Sequence, residues 1–268
     1  MTSLLAWVGI DSRGPASAYF ASDSRITWPG GGVWDYGRKL FACRRYPQIF
    51  GYCGDVLFPV QTIGQIIEMI DADLIANQGD SIETWVDRVV SLIGVALKNY
   101  PSTAKQAFDL LYCVRDGESL LAKFHFLQLT FKLVGAPVIT RIPVPAQSGP
   151  VAILGSGTSA IKAQNQRWST SDVGGTSRAV FSAFCDSLKS GDDLWSGGPP
   201  QLVGIWRESS PKTFGMIWNN RRYFYGTEVP KTEKLDNLRW YNELFEICDP
   251  FTLTRKESAQ PQPRPRGL

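Results

Sequence analysis

The run Met1-Thr2-Ser3-Leu4-Leu5-Ala6-Trp7-Val8-Gly9 is strand-like and strongly apolar from a point just after the initiating methionine. A second run, Ala18-Tyr19-Phe20-Ala21-Ser22-Asp23-Ser24-Arg25, closes on charged residues, and Asp11-Ser12-Arg13-Gly14-Pro15 between them is turn chemistry. The pattern predicts a β-hairpin whose first strand starts at the amino end of the chain. Chain ends usually fray, but one this apolar must be tied into a sheet. Because Thr2 is small, an aminopeptidase can remove Met1, leaving a threonine with a free α-amine inside a folded core. A threonine hydroxyl is a weak nucleophile alone, and its own amine can serve as the base.

With 268 residues, 43% hydrophobic and 12% aromatic, the chain can bury one large core. One domain over residues 1–250 is expected. A formal charge of +3, from 28 basic and 25 acidic residues spread along the chain, gives no basic face for nucleic acid. Cys43, Cys53, Cys113, Cys185 and Cys248 form an odd set without CxxC spacing, and there is no secretory signal or membrane-length apolar run. The expectation is a cytoplasmic protein with reduced thiols, no membrane partner and no bound metal. The sole histidine, His125, alternates within Lys123-Phe124-His125-Phe126 like a packed strand residue, which leaves a histidine-based triad poorly supplied.

After the hairpin, Pro29-Gly30-Gly31-Gly32 reads as a flexible loop. No phosphate-binding glycine pattern occurs, and Gly155-Ser156-Gly157-Thr158 lacks the third glycine of a dinucleotide fingerprint, so no nucleotide cofactor is expected. Tyr36–Cys43 and Gln48–Asp55 read as short strands. Two amphipathic helices follow, Val56–Ile75 and a second entered through Ser81-Ile82-Glu83-Thr84 and stopped at Pro101. Ala107–Val144 has β character, with a turn at Asp116-Gly117. Val151–Leu154 is a short strand leading into helical sequence from Ser159 and again over Thr176–Leu188, then β sequence at Gln201–Trp206 and Thr213–Trp218. Lys234–Cys248 reads as a terminal helix. Residues 251–268 are assigned to a disordered proline-rich tail, polar from about Lys256. The order of strands, two helices, strands, two helices and strands predicts an α+β fold: a four-layer αββα sandwich of two antiparallel sheets flanked by helices.

Four separated segments resemble the proteasome β-subunit type of N-terminal-nucleophile (Ntn) hydrolase, nearest its bacterial relatives HslV and Anbu. Phe20–Arg25 is similar to the close of the family's first hairpin, and Lys39 follows Asp23 by the family's sixteen residues. Gly155-Ser156-Gly157 and Asp193-Leu194-Trp195-Ser196-Gly197-Gly198 resemble the two later motifs, in the correct order with helices between them. The resemblance spans about residues 2 to 226. Thr2 to Asp23 is five residues longer than the family pattern, an excess assigned to a long turn over Ile10–Ser17.

The resemblance implies a threonine endopeptidase with Thr2 as nucleophile after loss of Met1; the alternative nucleophile, Ser3, needs two residues removed. It implies Asp23 and Lys39 beside the nucleophile, with Ser156, Asp193 and Ser196 around the terminal amine. Backbone N–H groups near Cys53 and Gly54 would hold the oxyanion, and Gly51 would leave an open specificity pocket. Cys53 stands where the family usually has glycine. A homo-oligomer, as a ring or short helical stack, acting on peptide or unfolded protein is implied. An ATP-dependent unfoldase partner fits the family but no sequence feature identifies one. The alternatives are an Ntn amidase acting on a small amide and a catalytically inactive structural or regulatory subunit.

Overall fold

The computed structural model describes every residue except Met1, Pro29, Ala76, Gln78, Glu233 and 266–268. Strand β1 (Leu4–Asp11) turns at Ser12-Arg13 into β2 (Gly14–Ser22). Gly14 makes the reversal possible at φ +102°, and Asp11 Oδ1 accepts from Arg13 N at 2.8 Å. The predicted long turn is therefore corrected: the extra residues extend both strands, with a register shift between Gly9 and Ile10. Strands β3 (Ile26–Thr27) and β4 (Val33–Trp34) form a small hairpin. Its turn takes up the glycines predicted as a flexible loop, with Trp28 N donating to Gly32 O at 2.9 Å.

Strands β5 (Leu40–Ala42) and β6 (Gln48–Gly54) precede helices α1 (Leu57–Asp71) and α2 (Ile82–Asn99). As predicted, Ser81 caps α2, its side chain accepting from Thr84 N. Strands β7 (Phe108–Asp116), β8 (Lys123–Phe131) and β9 (Val138–Ile142) form the meander, and β10 (Gly149–Leu154) leads to α3 (Thr158–Ser169) and α4 (Ser177–Ser190). Thr176 caps α4, and Gly191 ends it in the left-handed conformation. The chain continues through β11 (Gln201–Trp206), β12 (Lys212–Thr213), β13 (Gly215–Trp218), β14 (Arg221–Phe224), β15 (Thr227–Glu228), β16 (Trp240–Tyr241) and β17 (Ile247–Cys248).

Two five-stranded antiparallel sheets, β10-β1-β2-β11-β12 and β5-β6-β7-β8-β9, face each other. Strand alternation decides which side chains go where. Leu4, Ala6 and Phe20 meet Ile49, Leu111 and Phe126 between the sheets. Leu5, Trp7 and Tyr19 face outward onto Ile161, Phe181 and Phe184 of the α3–α4 layer. Phe50, Tyr52 and Tyr112 face the other way onto Ile63, Ile70, Val89 and Ile93 of α1 and α2. This is the predicted mixed α+β sandwich, helices outside and sheets inside.

The predicted terminal helix is not formed. Lys234–Cys248 holds a 3-10 turn at Leu235–Asn237 followed by β16 and β17, which complete a third sheet, β15-β14-β13-β16-β17. Trp240 pairs in parallel with Gly215, and Asn242 Oδ1 accepts from the Leu244 and Glu246 N–H groups, closing a turn where a helix would have run on. The proline-rich stretch expected to be disordered has contacts as far as it is described. Gln262 N donates to Glu246 Oε1 at 2.7 Å, and Arg264 pairs with Asp186 on α4 at 3.0 Å.

Candidate active site

Sheet topology gathers the residues singled out in the sequence. In the order β10-β1-β2-β11 with antiparallel neighbours, the end of β10, the start of β1, the end of β2 and the start of β11 share one edge. Ser156, Thr2, Asp23 and the segment Asp193–Ser196 lie just beyond those points. From the facing sheet, Lys39 immediately precedes β5 and Gly54 ends β6.

Asp23 and Lys39 have no solvent-exposed side-chain surface, and Lys39 Nζ donates to Asp23 Oδ1 at 2.7 Å. Three backbone N–H groups also donate to the Asp23 carboxylate: Ser3 at 3.0 Å, Gly197 at 3.0 Å and Arg25 at 3.1 Å. A buried carboxylate needs this density of donors to remain charged. Burial pulls the Lys39 ammonium below the ordinary lysine value, against the opposing pull of Asp23. The pair thus places a desolvated cation at the strand edge, on a carboxylate that also accepts from Ser3 N, next in the chain to Thr2.

Thr2 is 1% exposed, and its N–H donates to Ser156 Oγ at 3.2 Å. Ser156 Oγ in turn donates to Asp193 Oδ2 at 2.8 Å, which also accepts from Ser196 Oγ at 2.6 Å. Ser3 Oγ donates to Ser196 Oγ at 2.9 Å, so residues 2 and 3 reach the same carboxylate by two hydroxyl relays.

The glycines of these motifs have steric reasons. At Gly155, φ is +89° and an added Cβ would fall 1.9 Å from Thr2 O; at Gly157 it would fall 1.8 Å from Ser3 Oγ. Only glycine lets this turn close onto residues 2 and 3 while Ser156 points at Thr2 N. Gly197 and Gly198 likewise let their segment press on Arg25 and Asp35, where added Cβ atoms would lie 2.5 Å from Arg25 Cζ and 2.9 Å from Asp35 Cβ.

Tyr52 N donates to Lys39 O at 3.3 Å, which carries Cys53 and Gly54 to the same edge. Gly54, the last residue of β6, has φ +101° and is exposed. The Cys53 thiol is buried, and burial with the nearby Asp109 charge pushes its pKa up to about 12. It is therefore a neutral thiol at physiological pH and no rival nucleophile. Gly51 lies on the other face of β6 from Phe50 and Tyr52. Its Cβ direction meets Leu4 Cδ1 at 2.8 Å and Leu40 Cδ2 at 2.9 Å, so it faces the core between the sheets.

Two further residues were not picked out for the site from the sequence. Gln201, 1% exposed, accepts from Lys39 N at 3.0 Å and donates to Ser24 Oγ at 2.9 Å, Gly37 O at 2.6 Å and Asp23 O at 3.3 Å. It laces the Asp23 and Lys39 segments together. Arg25 forks onto Asp35 at 2.8 and 2.9 Å and donates to Leu194 O at 3.2 Å, holding the Asp193–Ser196 segment. The Asp-Ser-Arg run was a signal for Arg25. A lone glutamine at a strand start carries none.

The fold is that of the proteasome β-like Ntn hydrolases. Among solved structures, the chain is similar to a Gly-1 mutant of Anbu from Hyphomicrobium sp. strain MC1, at TM-score 0.55 and 14% identity over 88% of this chain and 91% of that one. It is also similar to Anbu, an ancestral β-subunit, from Yersinia bercovieri, at TM-score 0.55 and 13% identity over 79% and 86% of the two chains. Eukaryotic HslV from Trypanosoma brucei matches at TM-score 0.47 and 13% identity over 76% of this chain and 99% of that one. No protein-family model matches the chain, and no curated protein does. No described helix is long and apolar enough to cross a membrane.

Proposed function

We propose that the chain is a threonine peptidase of the proteasome type, acting after Met1 is removed. Excision turns the Thr2 amide nitrogen into an α-amine, with an unperturbed pKa of about 7.7 to 8. The amine accepts the proton of Thr2 Oγ as that oxygen attacks a peptide carbonyl. The tetrahedral oxyanion is held by backbone N–H groups near Cys53 and Gly54. Collapse returns the proton to the leaving amine and leaves an ester on Thr2, which water then hydrolyses by the same route in reverse. Lys39 favours the neutral amine and stabilises alkoxide character at Oγ, and Asp23 keeps the lysine charged and oriented. Ser156, Asp193 and Ser196 hold the amine.

The observation that carries this reading is Thr2 N at 3.2 Å from Ser156 Oγ, in a relay that ends on Asp193. A homo-oligomer that shields its sites goes with the reading, as does a single domain over residues 1–250. One observation favours a non-catalytic subunit instead: Thr2 is 1% exposed.

Intact mass of the purified protein, before and after a threonine-directed epoxyketone, separates the two. Loss of Met1 and one adduct, absent in Thr2→Ala, is the expected result. Retained Met1 with no adduct supports the non-catalytic subunit.

A further inference from the structure

A cavity of about 770 Å³ opens beside the candidate site, between the β3–β4 hairpin and the end of β6. Its walls include the indoles of Trp28, Trp34 and Trp195, with Ile26 and Leu57. The three tryptophans are 50%, 48% and 44% exposed, so each uses about half its surface on the protein and leaves the rest uncovered. Three half-covered tryptophans lining one hollow are the usual makings of a site for an apolar group.

The cavity is continuous with the catalytic edge at two points. Gly54, one residue past Cys53, lines it, and Trp195 stands between Asp193 and Ser196. Its electrostatics are one-sided. No basic side chain is among its described lining residues, and the sole carboxylate, Asp55, is already engaged by the Val56 and Phe58 N–H groups at 2.7 and 3.4 Å. The other route for a substrate side chain, over Gly51, is closed by Leu4 and Leu40.

We infer that this cleft selects substrates by a bulky apolar or aromatic side chain, seated against Trp28, Trp34 and Trp195 while the neighbouring backbone lies along Gly54. The inference rests on the peptidase reading and names its substrate class. An acidic or basic side chain entering the cleft would lose its hydration with no free partner of opposite charge. The larger cavity, about 830 Å³, does not compete: it lies at the opposite end of β6, and its Arg45 and Arg115 are already paired with Asp73 and Glu118.

The test uses the full chain and two readouts. N-acetyl-tripeptide epoxyketones differing only in the side chain next to the warhead (Phe, Leu, Asp or Lys) are compared for labelling rate. The matching peptide amides are titrated calorimetrically into Thr2→Ala. The expected result is a preference of at least tenfold for Phe and Leu over Asp and Lys in both readouts, reduced at least threefold in Trp28→Ala/Trp34→Ala. Apolar-selective binding without labelling would sustain the cleft and sink the peptidase reading. Labelling of Thr2 without side-chain preference, or a preference unchanged in the double variant, would overturn the cleft alone. Neither labelling nor binding would overturn both.

Discussion

Lys39 and Asp23 meet at 2.7 Å with neither side chain exposed. Taking two charges out of water is expensive, and removing one partner strands the other. Asp23→Ala strands the ammonium and also leaves the Ser3, Arg25 and Gly197 N–H groups without their acceptor. A loss of about 3–5 kcal/mol or more is expected in urea unfolding. Lys39→Met keeps the volume and the three backbone donors, so it should destabilise less than Asp23→Ala while abolishing epoxyketone labelling. Equal losses in the two variants would contradict this account of Asp23.

Gly155→Ala should remove labelling more completely than it removes stability. The new methyl would need the left-handed region at φ +89° and would overlap Thr2 O. A strained backbone of this kind costs about 1–3 kcal/mol. The overlap falls on Thr2 itself, and the motif cannot relax without moving Ser156 off Thr2 N. Labelling rate and thermal midpoint measured on one preparation check the ratio.

Gln201→Leu removes the acceptor of Lys39 N and the donor shared by Ser24 Oγ, Gly37 O and Asp23 O. Each buried group left unsatisfied costs about 1–3 kcal/mol, so a loss of several kcal/mol in urea unfolding is expected. Gln201→Glu keeps the acceptor only, and its labelling should show a shifted pH profile, because a new carboxyl lies among the Asp23 and Lys39 segments. An unchanged profile would mean that Gln201 is structural filler.

The hairpin turn carries a pH-dependent clamp. Hydrogen bonds from Arg207, helped by Arg13 N, hold the Asp11 carboxyl down from 3.8 to about 2. A folded value below the unfolded one adds stability that is complete above the unfolded value and disappears as pH falls through the folded one. The thermal midpoint of the parent should therefore exceed that of Asp11→Asn above about pH 4, with the gap closing toward pH 2. Salt should narrow the gap, since the carboxylate is exposed.

Much of the architecture is local enough to read from the chain. The apolar run from Leu4 to Val8, the caps at Ser81 and Thr176, and the apolar stripes of α1, α2 and α4 are short-range signals that the fold keeps. The Gly-Ser-Gly and Asp-Ser-Arg motifs could likewise be placed at turns and strand ends. What they touch could not be read, because a contact such as Ser156 to Thr2 spans 154 residues.

The segment Lys234–Cys248 shows the limit most clearly. Leu235, Leu238, Tyr241 and Phe245 recur at helical steps, yet parallel pairing of Trp240 and Tyr241 with β13 prevails, with Phe245 at φ +58°. Periodicity records which residues want burial, and the partner strand decides the backbone that delivers it. The same holds for Gly51, whose direction is set by Leu4 across the sheets, and for Gln201, whose four hydrogen bonds exist only once β11 lies against β2. The amino-acid sequence by itself determined most of the elements up to β13 and the residue types available for chemistry. The tertiary structure alone decided which of them share a carboxylate and which close the core, because burial and hydrogen-bond satisfaction depend on partners far away along the chain.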